Sequence, residues 1–485
     1  MTHSPAVGRI INRWSACRDA ALRLCTPGRP LPNLFAAVTL VALLAIPVAA
    51  SFAAKPQFDG NVSFHRGEYA LALKQLRPLA DEGDPDAQLL MGIMYAEGKG
   101  VAPDPAEGIR WFRRAAEQGS SDAQWRLGIM YAEGSGVPRN DAEAIRWYRK
   151  AAERNPPAPQ NELGRMYEEG RGAAPDIAEA IKWYRLAADQ GFALGQYNLG
   201  RLYAQGRIVP EGDDEAVTWY RRAADQGYAP AQYNLGLMYA SGRGIKRNYT
   251  DALKWYRLAA AQGSADAQWK IGTMYEEGNG VPLDMAEAVR WYTRAAELES
   301  ADARYELGFL YLHGKGLRKD LPAAVKLFRQ AAEQGHAAAQ YALGIRYAQG
   351  QGVAKSDAEA MRWFRLAANQ GLVAAQYAAA MRYRDGVGVA KDPAAALAWF
   401  RRAADQGFAP AQYNLALLYA SGEGAAPDRL ESYKWFSLAA ARLPAGQERD
   451  AAVRNGEALA KALTPEDVAA AQKLVREWKP PGVQP

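Results

Sequence analysis

The chain reads as an all-α, right-handed α-solenoid of about ten 36-residue helix-turn-helix units, preceded by a signal or transmembrane segment. Three observations predict this. The stretch DQGYAPAQYNLGLMYASGRG at residues 225–244 returns at 405–424 as DQGFAPAQYNLALLYASGEG, five periods of 36 later and with four changes. Steps of 36 from Gly92 land on Gly as far as Gly344, then on Ala380 and Ala416; three residues on, the same steps give Tyr from Tyr95 to Tyr419 every time. A third column is Trp from Trp111 to Trp435, broken only by Leu327. No unit can bury its own Trp and Tyr, whereas stacked neighbours can, so a regular repeat of this length implies a core that runs along the array.

The N-terminal segment stands apart. Residues 1–33 carry five Arg and one Asp and supply +4 of the net charge of +6, which leaves +2 over residues 55–485. The basic isoelectric point is therefore no footprint of nucleic-acid binding. Residues 34–54, LFAAVTLVALLAIPVAASFAA, have no charge and are long enough for a bilayer core of about 30 Å. With the basic flank on the N-terminal side, residues 1–33 are expected in the cytoplasm and the chain after Lys55 across the membrane. Three readings of 34–54 stay open: an uncleaved anchor, a cleavable signal cut after Ala50 or Ala53, and a buried core helix. Both cysteines, Cys17 and Cys25, lie in this segment, so neither disulfides nor a cysteine metal site can hold the body together.

The body is expected over residues 62–442, opening on a lone second helix at 67–83. Within a unit, DAQWRLGIMYAEG places Ala123, Leu127, Met130 and Tyr131 at helical spacing and stops at Gly134, a left-handed cap. The second helix, NDAEAIRWYRKAAE, sets Ala144, Trp147, Tyr148 and Ala151 on one stripe. Its start carries a capping box in nearly every unit, as in Asp104 with Glu107 and Asn140 with Glu143. The small column from Gly92 to Ala416 lets helices approach closely. Residues 443–485 are expected to supply capping helices and a tail, with Thr464 as N-cap of a last helix, Pro465 at N1 and Asp467 at N3.

The pattern LGxMYxxGxGVxxDxxEAxxWYRxAAxQGxxxAQ resembles the Sel1-like repeat, a relative of the tetratricopeptide repeat, and covers roughly residues 84–442. Departures are few: NPPAP at 155–159 at the start of a first helix, Ile208 for a loop glycine, and Leu327 for Trp. The resemblance implies a non-enzymatic protein that assembles complexes or regulates partners.

Catalytic signatures are missing from the sequence. HExxH, G-x-S-x-G, S-x-x-K and K-T-G do not occur, and no cofactor, catalytic or metal-ligating residue is expected. His313 and His336 are read as ordinary surface or loop histidines, and the recurrent Gly-x-Gly as a turn without a preceding strand. The cations of the second helices (Arg110, Arg146, Lys182; Arg113, Arg149, Arg185) are read as a solvated convex face, with a site for an acidic partner as the alternative, and with pairs such as Arg113 and Glu117 four apart.

A partner is expected on the opposite side. Three positions before the glycine column stand Tyr197, Tyr233, Trp269, Tyr305, Tyr341, Tyr377 and Tyr413, with Arg201 beside them. In the related tetratricopeptide fold this position lines the concave groove, and a row of amphipathic rings suits capture of a peptide or protein. The competing reading is that these rings pack against the neighbouring unit. The sequence thus predicts an exported, periplasmic scaffold or adaptor that binds another envelope protein or extended peptide. It meets the membrane through residues 34–54, or is released after cleavage, and has no nucleic-acid partner. Binding of cell-wall glycan through the aromatic row is the alternative, and β-lactam binding or hydrolysis a more remote one.

Overall fold

The computed structural model describes residues 56–154 and 156–479, and every regular element among them is a helix, 24 in all. The anchor or signal expected at 34–54 lies outside the described residues. Among those described, no helix is long and apolar enough to cross a membrane. Helices pack chiefly on the helix before and the helix after, so the body is a stack of pairs.

The unit 229–264 shows how a pair is made. Its first helix runs Ala229–Ser241 and its second Tyr249–Ala261. Gly242 ends the first helix at φ +79, and Gly244 follows at φ +62, both in the region that glycine adopts without strain. Gly244 does a second job: a Cβ there would run into the Asp213 carbonyl, at the start of the preceding unit's second helix. The Gly-x-Gly turn is thus also a contact between units. Asn248 then caps the second helix, its Oδ1 accepting from the backbone N–H of Thr250 and Asp251 at 3.0 and 3.2 Å.

The capping box closes on one side only. Asp104, Asn140 and Asp176 each accept from the N–H three residues on, as expected. The N-cap's own N–H, however, is already donated to the carbonyl of the Tyr column: Asp104 to Tyr95 at 2.7 Å, Asn140 to Tyr131 at 2.8 Å, Asp176 to Tyr167 at 2.9 Å. Each bond satisfies one of the orphan carbonyls at the end of the first helix. The glutamate side chain therefore turns outward to the cation three residues on, Glu107 to Arg110 at 2.8 Å and Glu143 to Arg146 at 3.3 Å.

Close approach within the pair centres on one aromatic ring. The glycine column of each first helix lies under a buried Tyr or Phe of its own second helix. A Cβ on Gly272 would sit 2.6 Å from the Tyr292 ring, and one on Gly344 2.7 Å from Phe364. In the last two units the small residue is Ala380 or Ala416 and the ring is Phe400 or Phe436, all of them buried.

A polar ladder joins pair to pair. The glutamine at the end of a second helix donates to a buried glutamine of its first helix, Gln226 to Gln196 at 2.8 Å and Gln262 to Gln232 at 2.9 Å. That buried glutamine donates in turn to the preceding unit's last turn, Gln196 to the Ala188 carbonyl at 3.1 Å and Gln232 to Ala224 at 3.2 Å. The ladder breaks where the chain places Arg154, Leu298 or Arg442 at the donor position; there the Oε1 of Gln124, Gln268 and Gln412 is buried without a partner.

The ends differ from expectation at one side. The second helix at the start, Tyr69–Asp81, is not alone: Pro56–His65 pairs with it. The connector there is residues 66–68 rather than seven residues such as 98–104, so the small residue falls at Gly60, beneath Leu76, and out of the 36-residue step. At the other end, Gln447–Ala462 and Pro465–Glu477 pack on the last repeat helix, Arg429–Arg442. Thr464 caps as expected, accepting from Asp467 N–H at 3.1 Å, and Trp478 meets Trp435 edge to face. The prolines at 156, 157 and 159 fall before and within the first turn of Pro157–Glu169, where no intrahelical donor is lost, so the helix forms.

Two stability tests follow from this packing. Gly272→Val should lower the urea midpoint, costing about 1–3 kcal/mol, because the Tyr292 ring cannot withdraw without disturbing its neighbours. Glu299 holds φ +64 where most other units have glycine, so Glu299→Gly should raise the midpoint by about 1 kcal/mol.

Candidate functional site

The aromatic row on the first helices is half-buried throughout. Each tyrosine lies on the buried ring of its own second helix, with centroids 5.9 Å apart for Tyr197 and Tyr220, 5.9 Å for Tyr233 and Tyr256, and 5.8 Å for Tyr305 and Phe328. Tyr341, Tyr377 and Tyr413 repeat this on Phe364, Phe400 and Phe436. Some also meet the next unit, as Tyr197 meets Tyr228 and Tyr377 meets Phe408. The two readings of the row therefore coexist in one residue: one part of each ring is packing and the other part is surface. Trp269 differs, its indole N–H buried without a partner and its ring 3.9 Å from the Lys270 ammonium.

Pairs of these residues are brought together around cavities. Tyr197 and Tyr233 line one of about 440 Å³, together with Asn234 and Asp266. Tyr305 and Tyr341 line another of about 590 Å³. Trp269, Tyr377 and Tyr413 line neither. Arg201 is drawn inward, donating to both oxygens of Glu168 at 2.9 and 2.5 Å, while the Tyr184 hydroxyl donates to the same carboxylate at 2.9 Å. Burial opposes the charge on Glu168, but the Arg201 hydrogen bond and charge, with Tyr184 and Arg207, outweigh it and hold the carboxyl below its ordinary range. Arg201 is thus committed within the array.

The second-helix cations, His313 and His336 lie at the surface or in loops as expected, but several take partners that the sequence did not disclose. Of the second-helix cations, Arg110 and Arg146 are solvated as expected. The row three residues on is exposed too, but also takes partners: Arg113 donates to the Tyr131 hydroxyl of the next unit at 2.7 Å, Arg185 to Tyr203 at 3.0 Å, and Arg149 to Tyr167. These bonds connect consecutive units, so Arg113 pairs with a tyrosine rather than with Glu117. The histidines are also engaged. His336 is the N-cap of Ala337–Gln349; its Nδ1 accepts from Ala339 N–H at 3.0 Å, which leaves the proton on Nε2 facing Asp302 at 3.4 Å. Its ring stacks on Tyr305 at 4.9 Å. His313 packs on Phe309 at 4.3 Å and lines the larger cavity.

The glutamine ladder was present in the repeat pattern but carries no chemical signature in sequence; only its 30-residue spacing between Gln pairs could have disclosed it. Among the described residues no cluster of His, Cys, Asp or Glu is arranged to hold a metal ion.

One carboxylate on the first-helix face is held against its preference. Burial, then Glu276, Asp302 and Glu277, push Glu306 up to about 7. The folded chain keeps a proton that the unfolded chain has lost, so Glu306 subtracts stability as pH rises from 4.5 to about 7. Glu306→Gln should therefore raise the melting temperature at pH 8, by the equivalent of about 1 kcal/mol after solvent screening, and change it little at pH 4.5.

Comparison with known proteins places this architecture. The Sel1 repeat model matches ten times, at residues 85–120, 121–156, 160–192, 193–228, 229–264, 265–300, 301–336, 337–372, 373–408 and 409–442. Among solved structures, the chain is similar to a protective antigen of uropathogenic Escherichia coli displaying an SLR fold. That match has 32% identity and a TM-score of 0.63, covering 87% of this chain and 91% of the other. It is also similar to a Sel1 repeat protein from Oxalobacter formigenes, at 35% identity and a TM-score of 0.54, over 73% of this chain and 96% of that one. A comparison with curated proteins gave no match. Proteins of this kind generally mediate protein–protein interactions on a scaffold that is generally non-enzymatic. With ten consecutive matches spanning most of its length, the chain belongs to the Sel1 repeat family.

Proposed function

We propose that the protein is a non-enzymatic scaffold of the cell envelope that binds a partner protein or extended peptide along the face of its first helices. The observation that supports this most is the row of half-buried rings from Tyr197 to Tyr413, which recurs at one position per unit and leaves cavities between successive units. Rings already seated on a buried neighbour are rigid, so little side-chain entropy is lost when a partner covers them. Placement in the envelope rests on the sequence alone: the basic residues 1–33 followed by the uncharged 34–54.

The test is in-cell crosslinking with the exported chain as bait, followed by binding of the captured protein in purified form. A triple variant, Tyr233→Ala, Trp269→Ala and Tyr305→Ala, serves as the comparison, with circular dichroism to confirm helix content. A partner whose affinity falls at least tenfold in the folded variant supports the first-helix face. Equal binding by parent and variant moves the interface to the second helices or the ends. Loss of capture upon addition of peptidoglycan fragments assigns the rings to glycan instead.

A further inference from the structure

The column two residues after the small position is buried Met or Leu in eight units, from Met94 to Leu418, and arginine in the other two, Arg346 and Arg382. The two arginines fare differently. Arg382 meets Asp357 Oδ1 at 3.1 Å and lies over the Phe364 ring at 5.2 Å. Arg346 meets no carboxylate, because the residue that corresponds to Asp357 is Leu321. Its Nε is buried without a hydrogen-bond partner, and one terminal nitrogen reaches only the Gln349 amide oxygen, at 3.5 Å. Burial alone lowers its affinity for the proton.

Arg346 lies on the wall of the cavity of about 590 Å³ that the units 301–336 and 337–372 enclose. Most of that wall is apolar and aromatic, including Phe309, Leu312, Leu321 and Ile345; His313 and Gln351 are polar members, and Lys319 adds a second cation. No Asp or Glu lines it. The volume lies in the range of small-ligand sites, and a half-buried guanidinium whose enclosed Nε has no partner and which lacks a counter-ion is what such a site presents to an anion. Two other cavities that contain arginines also contain carboxylates: the one beside Trp125 has Glu133 and Glu162, and the one beside Arg318 has Asp320.

We propose that this cavity is a binding site for an apolar carboxylate, whose aryl or branched alkyl body fills the space between Tyr305 and Tyr341 while its carboxylate pairs with Arg346. The same chemistry can be delivered by a free organic acid or by a partner segment that sets an acidic residue beside a bulky apolar one. Only the second source rests on the scaffold reading above.

The experiment is isothermal titration of the full chain with phenylbutyrate, phenylbutanamide and acetate as probes. Phenylbutyrate should bind at about millimolar strength, and the neutral amide and the acetate at least tenfold more weakly. Arg346→Met restores the residue type of the column in other units, so it should fold and should lose phenylbutyrate binding at least tenfold. Leu321→Asp supplies the counter-ion that Arg382 has, and should weaken the probe by a similar factor. A capped Phe-Glu dipeptide separates the sources: binding as strong as that of phenylbutyrate assigns the site to a partner segment, and markedly weaker binding assigns it to a free acid. Equal affinity for the amide, or unchanged affinity in both folded variants, overturns the site. The crosslinking variant shares Tyr305 with this cavity. The scaffold reading is therefore scored separately with Tyr233→Ala and Trp269→Ala alone, whose residues lie outside it, and Arg346→Met leaves that pair untouched.

Discussion

One contact sets the geometry of each unit: the edge of an aromatic ring lying against a stretch of helix backbone that carries no side chain to keep it away. Tyr292 over Gly272 is representative. The ring needs a small residue there to reach full burial, and the glycine, a poor helix former by about 1 kcal/mol against alanine, leaves the ring the closest approach. From this contact the rest follows in order. The distance between the two helices fixes where the connector must turn, the turn brings its second glycine onto the unit before, and the Tyr carbonyl meets the next N-cap. The pairing has some slack: Phe364 lies over Gly344, whereas in the two final units Phe400 and Phe436 lie over Ala380 and Ala416.

Most of this was legible in sequence because it recurs. A period of 36 without slippage disclosed the helix pair, the small column, the left-handed caps and the N-cap positions. Patterns that depend on what a side chain faces were not legible. The glutamates of the capping boxes look reciprocal in sequence, yet a backbone carbonyl takes the N-cap donor first. Arg113 and its counterparts look like solvated surface, yet they reach 18 residues forward to a tyrosine hydroxyl. The helix Pro56–His65 escaped because its connector is shorter and its sequence, PQFDGNVSFH, has little helical signal of its own. Packing on Tyr69–Asp81 makes it a helix where propensity would not.

The candidate site was legible as a row and illegible as cavities. Position in the repeat identified Tyr197 through Tyr413, and the structure shows each ring divided between core and surface. It could not tell that Arg201 is consumed by Glu168, or that Tyr305 and Tyr341 share one cavity. Those outcomes depend on residues 30 or so positions away in sequence, such as Glu168 for Arg201, which a repeat pattern averages over. Individuality in this protein lies in such departures from the pattern.

The break in the glutamine ladder at Leu298 coincides with the left-handed Glu299 and with Arg304 in place of the buried glutamine. Two local penalties, the unpartnered Gln268 Oε1 and the left-handed Glu299, thus fall in one joint of a stack whose members touch chiefly their neighbours. Arg304 keeps the bond to the preceding unit through the Ala296 carbonyl. In a linear assembly, cooperativity is only as long as its strongest uninterrupted run, since each interface must transmit order to the next. This joint divides the array into two blocks, residues 56–297 and 301–479, that share a fold but need not share a fate. The joint at Arg154, where the ladder also breaks, is a second such seam nearer the start of the array.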